Sequence, residues 1–290
     1  MFKSREPGTP WAHISAHQGG SEQARPGTYE AYQQSAATGA EYVEFDIRRT
    51  ADRALVVYHD GWAGESRRPV PDLRYGELCK IAGYQVPLVE DVMRLLAGRV
   101  AGHLDLKETG YETEVIELAL ATFGPANFVA TTLEDSSIVA IKRSFPEVRT
   151  ALSLGRDLRE VPRARRLSVR ASELTPLSRI RGCGADWAAV HYHLARLGVM
   201  RACRRNGIGM MVFTVDSDRL IGSFLADRAV EVVITNRPRR AVQYRTANHG
   251  TANHGTANHG TADHGTANHG TIQRTPVGHV AETTGAEIRS

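Results

Sequence analysis

The chain has 290 residues, of which 41% are hydrophobic and 23% charged, an ordinary composition for a globular protein. The formal net charge of +4 is too small to indicate a nucleic-acid-binding protein unless the basic residues cluster. The three cysteines form no CxxC motif, which argues against a disulfide framework and a cysteine zinc site. Because no apolar run is long enough for a membrane span and residues 1–20 lack a signal-peptide segment, we expect a cytoplasmic protein without stable membrane insertion.

Short apolar or alternating segments that predict β-strands recur along the chain, separated by longer amphipathic stretches that predict helices. The predicted strands are 13–17, 42–47, 55–59, 102–107, 128–132, 150–154, 187–191, 210–214 and 231–235. Alternation of strand and helix favours a parallel sheet with right-handed crossovers. Nine strands are one too many for an eight-stranded barrel.

The third predicted strand is the one that does not fit a barrel. Only seven residues separate Ile47 from Leu55, whereas a parallel crossover takes a dozen or more. We therefore predict a β-hairpin flap after strand 2, with its tip at Asp52-Arg53 and a register that sets Asp46 opposite His59. The other eight strands then close a (β/α)₈ TIM-type barrel, which is an α/β fold.

The C-terminal part of the chain contains a five-residue repeat. From Thr246 to Gly270 the unit TANHG occurs five times, once as TADHG. Such a period has no large apolar residue and cannot form a buried face. We predict a barrel domain over 1–245 and a disordered tail over 246–290. Regularly spaced histidines are able to bind a divalent metal. We favour instead a repeat that is tolerated because it is unfolded.

Polar side chains collect at the predicted carboxyl ends of the barrel strands, where active sites of this fold lie. Those predicted to meet at one mouth are His17, Glu44, Asp46, His59, Asp105 and Lys107. Carboxylates suit hard cations such as Mg²⁺ or Ca²⁺, a lysine with a metal suits a phosphate, and two histidines suit a general acid and base. The pattern therefore predicts metal-assisted cleavage of a phosphoester.

The order of the motifs along the chain is similar to that of a known family. The motifs are His17-Gln18-Gly19, Gly39-Ala40, Glu44-Phe45-Asp46-Ile47, Thr50-Ala51-Asp52, His59-Asp60, Asp105-Leu106-Lys107, Phe213-Thr214-Val215 and Ile234-Thr235-Asn236-Arg237-Pro238. They span the predicted barrel and resemble the glycerophosphodiester phosphodiesterases, barrel phosphodiesterases like the phosphatidylinositol phospholipases C. The resemblance implies a small-molecule substrate, hydrolysed to glycerol 3-phosphate and an alcohol with a divalent cation.

The resemblance also implies roles for single residues. His17 and His59 are the expected acid/base pair. The expected metal ligands are Glu44, Asp46 and Asp105, and the expected substrate-binding residues are Lys107, Gln18 and His191, the last from its place after a strand.

Several positions depart from the family pattern. Gln18 replaces a phosphate-contacting arginine, Asp105 a glutamate, Phe213 a tryptophan and Asn236 an aspartate, and the segment 25–27 replaces Pro-Glu-Asn. These changes bear on substrate choice and rate more than on the type of reaction.

Alternatives remain at this point. One is a lysophospholipid or sphingolipid phosphodiesterase on the same barrel, and another is a non-catalytic binder of phosphate ligands. Glu44 and Asp46 could instead pair with Arg48 and Arg49. His103 is expected lower in the barrel, in a structural role. The arginine-rich stretch 163–170 is predicted to be a solvated helix face, with a phospholipid docking patch as the alternative.

Overall fold

The computed structural model describes residues 11–156 and 161–248. Its strands are β1 (His13–Ala16), β2 (Tyr42–Arg49), β3 (Leu55–Val57), β4 (Trp62–Ala63), β5 (Arg68–Pro69), β6 (Ala101–Leu106), β7 (Phe128–Thr132), β8 (Thr150–Leu154), β9 (Trp187–His191), β10 (Gly209–Phe213) and β11 (Val232–Thr235).

Helices connect most of these strands. They are α1 (Tyr29–Ser35), α2 (Tyr75–Ala82), α3 (Val89–Leu96), α4 (Glu112–Phe123), α5 (Asp135–Ser144), α6 (Arg166–Leu174), α7 (Leu177–Cys183), α8 (Tyr192–Leu194), α9 (Met200–Arg205), α10 (Asp218–Ala226) and α11 (Pro238–Asn248). A π-helical turn, Ala195–Val199, joins α8 to α9, and short 3₁₀ turns lie at other connections.

Eight parallel strands form a closed barrel. Around it the order is β1, β11, β10, β9, β8, β7, β6 and β2, and β2 pairs again with β1. Closure aligns Ser15 with Tyr42 on one side of β1 and His13 with Val232 on the other. The predicted (β/α)₈ barrel is therefore confirmed, and β3 is the antiparallel strand of the hairpin outside it.

The alternation of side chains along β2 shows how the sequence separates barrel core from barrel mouth. Phe45 and Ile47 belong to the apolar layer shared with α3 and α4, whereas Tyr42 belongs to the apolar cluster inside the barrel. Glu44 and Asp46 point the same way as Tyr42 because successive strand residues face opposite sides. The two carboxylates therefore lie inside the barrel, above its apolar floor.

The floor of the barrel is packed with apolar side chains. Tyr42, Val129, Trp187, Met211 and Val232 belong to one buried cluster contributed by five different strands. Layers of inward side chains of this kind fill the interior of (β/α)₈ barrels. The interior is thus a packed core below and a polar recess above.

The hairpin is present, but its predicted register is wrong by one residue. Arg49 pairs with Leu55 and Ile47 with Val57, and the strand ends there, before His59. The loop holds three residues because Arg53 adopts a left-handed backbone conformation with φ of 65°. Thr50 closes this loop by accepting a hydrogen bond from the backbone N–H of Ala54 at 3.0 Å through its side-chain oxygen.

The end of the described chain lies in α11, which includes 246–248 from the first repeat. The rest of the predicted disordered tail falls outside the described residues. Among the helices that the structure describes, none is long and apolar enough to cross a membrane.

Candidate active site

A cavity of about 370 Å³ opens at the carboxyl ends of the barrel strands. The predicted residues that line it are His17, Glu44, Asp46, His59, Asp105, Lys107 and His191. The structure thus brings the predicted site residues together, although Gln18 contacts two of the carboxylates without being part of the cavity lining in the described chain. Their chemical roles stay predictions.

Three carboxylates form the acidic centre of this cavity. One oxygen from each of Glu44, Asp46 and Asp105 lies within 4.8 Å of the other two. The first two side chains are almost fully buried. Arg48 instead makes an ion pair with Glu108, so these carboxylates are not simply neutralised by the arginines that follow them.

Lys107 lies between two of the carboxylates. Its Nζ is 2.7 Å from Asp46 Oδ1 and 2.5 Å from Asp105 Oδ2. Burial alone would lower the pKa of the lysine, but the charges of Asp105, Asp46 and Glu44 raise it above its usual range. The ammonium group therefore stays protonated at neutral pH.

The same surroundings move the pKa values of the two most buried carboxyls in opposite directions. Burial raises the pKa of Glu44, and the negative charges of Asp46 and Asp105 raise it further. Burial also disfavours ionised Asp46, but the adjacent ammonium group of Lys107 outweighs it and holds the pKa of Asp46 low. One ammonium cannot neutralise three carboxylates, so the site favours a further positive charge.

The carboxylate group fits a hard divalent cation. Its donors are all oxygens, which Mg²⁺ and Ca²⁺ prefer. Asp46 Oδ1 is buried and lacks a hydrogen bond of acceptable geometry within the described chain, although Lys107 lies near it. An acceptor oxygen left in this state is available as a ligand.

Gln18 lies in the turn after β1 and contacts two of the carboxylates. Its backbone is left-handed, with φ of 50°, so the backbone N–H reaches Glu44 Oε2 at 2.7 Å while the side-chain amide donates to Asp46 Oδ2 at 2.8 Å. The amide therefore orients Asp46. The predicted contact of Gln18 with substrate stays a prediction.

The orientation of His17 is set by two residues from the other end of the chain. His17 Nδ1 is 2.8 Å from Asn236 Oδ1, and Asn236 Nδ2 donates to Asp216 Oδ2 at 2.7 Å. Because the carboxylate of Asp216 can only accept, the amide nitrogen must face it and the amide oxygen must face His17. His17 therefore carries its proton on Nδ1, which leaves Nε2 as the free basic nitrogen.

His59 lies on the opposite side of the cavity from the barrel floor, in the segment after β3. Its Nδ1 is 2.8 Å from Asp60 Oδ1, and both side chains are more than half exposed. The Arg48 guanidinium donates to the backbone carbonyl of His59 at 2.9 Å.

His103 occupies the structural position expected for it. Buried beneath the carboxylates, it contacts Ser15 Oγ at 3.0 Å and Thr131 Oγ1 at 3.1 Å. Burial lowers the pKa of His103 to about 4, so its ring is neutral at pH 7.

Sequence reasoning missed several cavity residues, of which two make polar contacts at the site. Arg156 lines the cavity from the loop after β8 and pairs with Glu134 at 2.6 Å. Thr131 donates to Asp105 Oδ1 at 2.6 Å. The inward alternation of β7 was enough to find Thr131, whereas no motif marks Arg156.

This barrel, with histidines, carboxylates and a lysine at its carboxyl mouth, defines the chain as a phosphoric diester hydrolase of the (β/α)₈ class. A model of the glycerophosphoryl diester phosphodiesterase family matches residues 17–240. The chain belongs to that family.

Relatives agree in sequence and fold. A Bacillus subtilis (strain 168) protein, YhdW, provisionally assigned as a glycerophosphodiester phosphodiesterase, is 22% identical over 244 residues, covering 78% of this chain and 95% of its own. A glycerophosphodiester phosphodiesterase structure from Parabacteroides distasonis matches with a TM-score of 0.66 and 18% identity, covering 84% of this chain and all of its own. An Oleispira antarctica phosphodiesterase, solved with the product sn-glycerol-3-phosphate, has a TM-score of 0.64 and 16% identity, covering 81% and 97%.

Proposed function

We propose that this protein hydrolyses glycerophosphodiesters to glycerol 3-phosphate and an alcohol, with a divalent cation held by Glu44, Asp46 and Asp105. The observation that supports the proposal most directly is the convergence of two histidines, three carboxylates and a lysine on one cavity in a member of this family. Its size suits a small diester better than a macromolecule. A cytoplasmic location stays a prediction.

The carboxylates and Lys107 have separate tasks, the first in binding the metal and the second in binding the phosphate. A bound Mg²⁺ or Ca²⁺ would supply Lewis-acid stabilisation of charge on the phosphoryl oxygens. Lys107 lies against the same carboxylates, so its ammonium is held where it can contact a phosphate oxygen beside them. Thr131 and Gln18 hold Asp105 and Asp46 in place by hydrogen bonds.

The histidines divide the proton transfers. His17 presents an unprotonated Nε2 because Asn236 accepts from its Nδ1, and it withdraws a proton from the attacking hydroxyl or water. His59, beside the carboxylate of Asp60, holds a proton and delivers it to the leaving alkoxide.

The test is release of glycerol 3-phosphate from glycerophosphocholine and glycerophosphoethanolamine with EDTA, Mg²⁺ or Ca²⁺. His17→Ala is compared with His13→Ala, because His13 begins the strand that His17 follows but does not line the cavity. We expect metal-dependent release that His17→Ala lowers by roughly 10²–10⁴-fold and His13→Ala leaves unchanged.

Other products would favour the alternatives. A cyclic phosphate formed from a lysophospholipid, with no turnover of the soluble diesters, would assign the lipid phosphodiesterase function. Stabilisation by the diester without turnover under any metal would assign the non-catalytic binder.

A further inference from the structure

The helix α6 carries an apolar stripe on its outer side. Leu167, Ala171 and Leu174 follow at intervals of four and three residues, which places them on one helical face. All three are exposed, and Leu167 is exposed to 86%. A helix that packs on the core of a globular protein turns such an apolar stripe towards the core, whereas α6 turns its stripe towards solvent.

A second exposed leucine lies on a neighbouring element. Leu197, in the π-helical turn Ala195–Val199, is exposed to 71%. This turn and α6 contact each other. Leu167 and Leu197 are the two most exposed large apolar side chains in the described chain, and they belong to adjacent elements.

The surroundings of these leucines are basic. The segment 161–172 contains four arginines and no carboxylate, and the segment 187–207 contains four more arginines and again no carboxylate. Arg163, Arg165 and Arg196 are exposed and make no ion pair with a described carboxylate. Exposed apolar side chains among unpaired arginines are typical of surfaces that bind anionic membranes.

The same surface adjoins the mouth of the barrel. Glu173 of α6 accepts hydrogen bonds from the backbone N–H groups of Gly155 and Arg156, at 2.9 and 2.7 Å, and both residues line the cavity. The turn that bears Leu197 begins four residues after His191, another lining residue. A layer bound to α6 would therefore lie beside the opening of the cavity.

We propose that α6 and the turn Ala195–Val199 form a docking surface for anionic phospholipid bilayers, with Leu167 and Leu197 entering the interface and the arginines contacting lipid phosphates. A nucleic acid would use the arginines but has no apolar layer for the leucines. The docking is peripheral and reversible, because so few apolar side chains enter the membrane. It is independent of the chemistry in the cavity.

The test is co-sedimentation of the full-length protein with vesicles of phosphatidylcholine and phosphatidylglycerol mixed two to one, and with pure phosphatidylcholine. We expect binding to the anionic vesicles that weakens with salt. Two variants should each lower it by at least roughly tenfold: Leu167→Ser with Leu197→Ser, and a triple exchange to glutamine of Arg163, Arg165 and Arg196. The thermal midpoint and hydrolysis of soluble diester should stay at wild-type levels.

Control variants change exposed apolar and arginine residues elsewhere on the protein. They are Val139→Ser, an exposed apolar residue of α5, and the glutamine exchange of Arg53, Arg68 and Arg94. Three outcomes would overturn the proposal. They are absence of binding to the anionic vesicles, equal loss of binding in the control and test variants, and tight binding of a single-stranded oligonucleotide that the leucine exchange leaves unchanged. Loss of vesicle binding with retained hydrolysis would support it, and absence of hydrolysis with retained vesicle binding would contradict only the catalytic proposal.

Discussion

Asp216, Asn236 and His17 form a hydrogen-bonded chain. It can be tested by exchanging the carboxylate and the amide between positions 216 and 236. In Asn236→Asp a carboxylate would still accept from His17, but it would face the carboxylate of Asp216 across the present 2.7 Å. In Asp216→Asn the amide of Asn236 would lose the acceptor that determines which way it points. The double variant reverses the donor and acceptor between the two positions and restores every bond. It also restores the aspartate that the family pattern has at 236.

The size of each effect follows from the distances. Two unit charges 2.7 Å apart repel by about 6 kcal/mol at an effective dielectric constant of 20. Protonating one of the two carboxyls at pH 7 removes this repulsion at a free-energy cost of about 4 kcal/mol. Partial exposure of the pair lowers the destabilisation to roughly 3 kcal/mol. In a chain of this size that lowers the thermal midpoint by about 10 °C. Asp216→Asn weakens charge-assisted bonds and should cost about 1–2 kcal/mol.

Thermal unfolding and steady-state hydrolysis of a soluble diester measure the two consequences. We expect kcat to fall roughly tenfold in Asp216→Asn, because Nδ1 of His17 no longer has a fixed acceptor and the ring loses the tautomer that leaves Nε2 basic. The double variant should regain stability to within about 1 kcal/mol of wild type and most of the lost rate. The control is Asp218→Asn, since Asp218 lies two residues after Asp216 but pairs with Arg240 of α11.

Additive losses in the double variant would refute a direct bond between the two side chains. A wild-type kcat in Asp216→Asn would show that the orientation of the amide does not matter for catalysis.

Three further predictions concern other contacts. Glu173→Gln should lower the thermal midpoint by roughly 5 °C, because charged bonds to two backbone N–H groups become neutral ones; an unchanged midpoint in differential scanning calorimetry would contradict this. Gly209→Val should cost about 1–3 kcal/mol in denaturant unfolding, since even a Cβ would lie 2.4 Å from Trp187, whereas Gly76→Ala, with open space around it, should cost nothing. Lys107→Met should destabilise the metal-free protein by about 3 kcal/mol, because Asp46 and Asp105 lose their paired ammonium. Added Mg²⁺ or Ca²⁺ should raise the thermal midpoint of this variant more than that of wild type. Equal rises would argue against a metal between these carboxylates.

Periodicity along the strands predicts the parts of the site that depend on local alternation. Glu44 and Asp46 share a face because a strand has a period of two, and pairing places Asp46 beside Asp105 once the barrel closes. The connection length between Ile47 and Leu55 was likewise enough to identify the hairpin, since length excludes a crossover.

Features that depend on single backbone conformations or distant partners could not be predicted in this way. The hairpin register was wrong because nothing in the residue type of Arg53 indicates a left-handed conformation. Arg156 lines the cavity from a loop whose backbone N–H groups are bound by Glu173 of α6, a contact that no local pattern indicates. The contact of the Gln18 amide with Asp46 was not predicted, since it accompanies the left-handed backbone of Gln18 itself.

The bond between His17 and Asn236 joins residues 219 positions apart, at the ends of the first and last strands of the barrel. During synthesis His17 therefore emerges long before the partner that orients it. A chain stopped before β11 would contain both histidines, all three carboxylates and the lysine, yet its ring of strands would be open and His17 would lack its anchor. If His17 acts as proposed, catalytic competence arrives only with the final strand, and turnover would report completion of the ring.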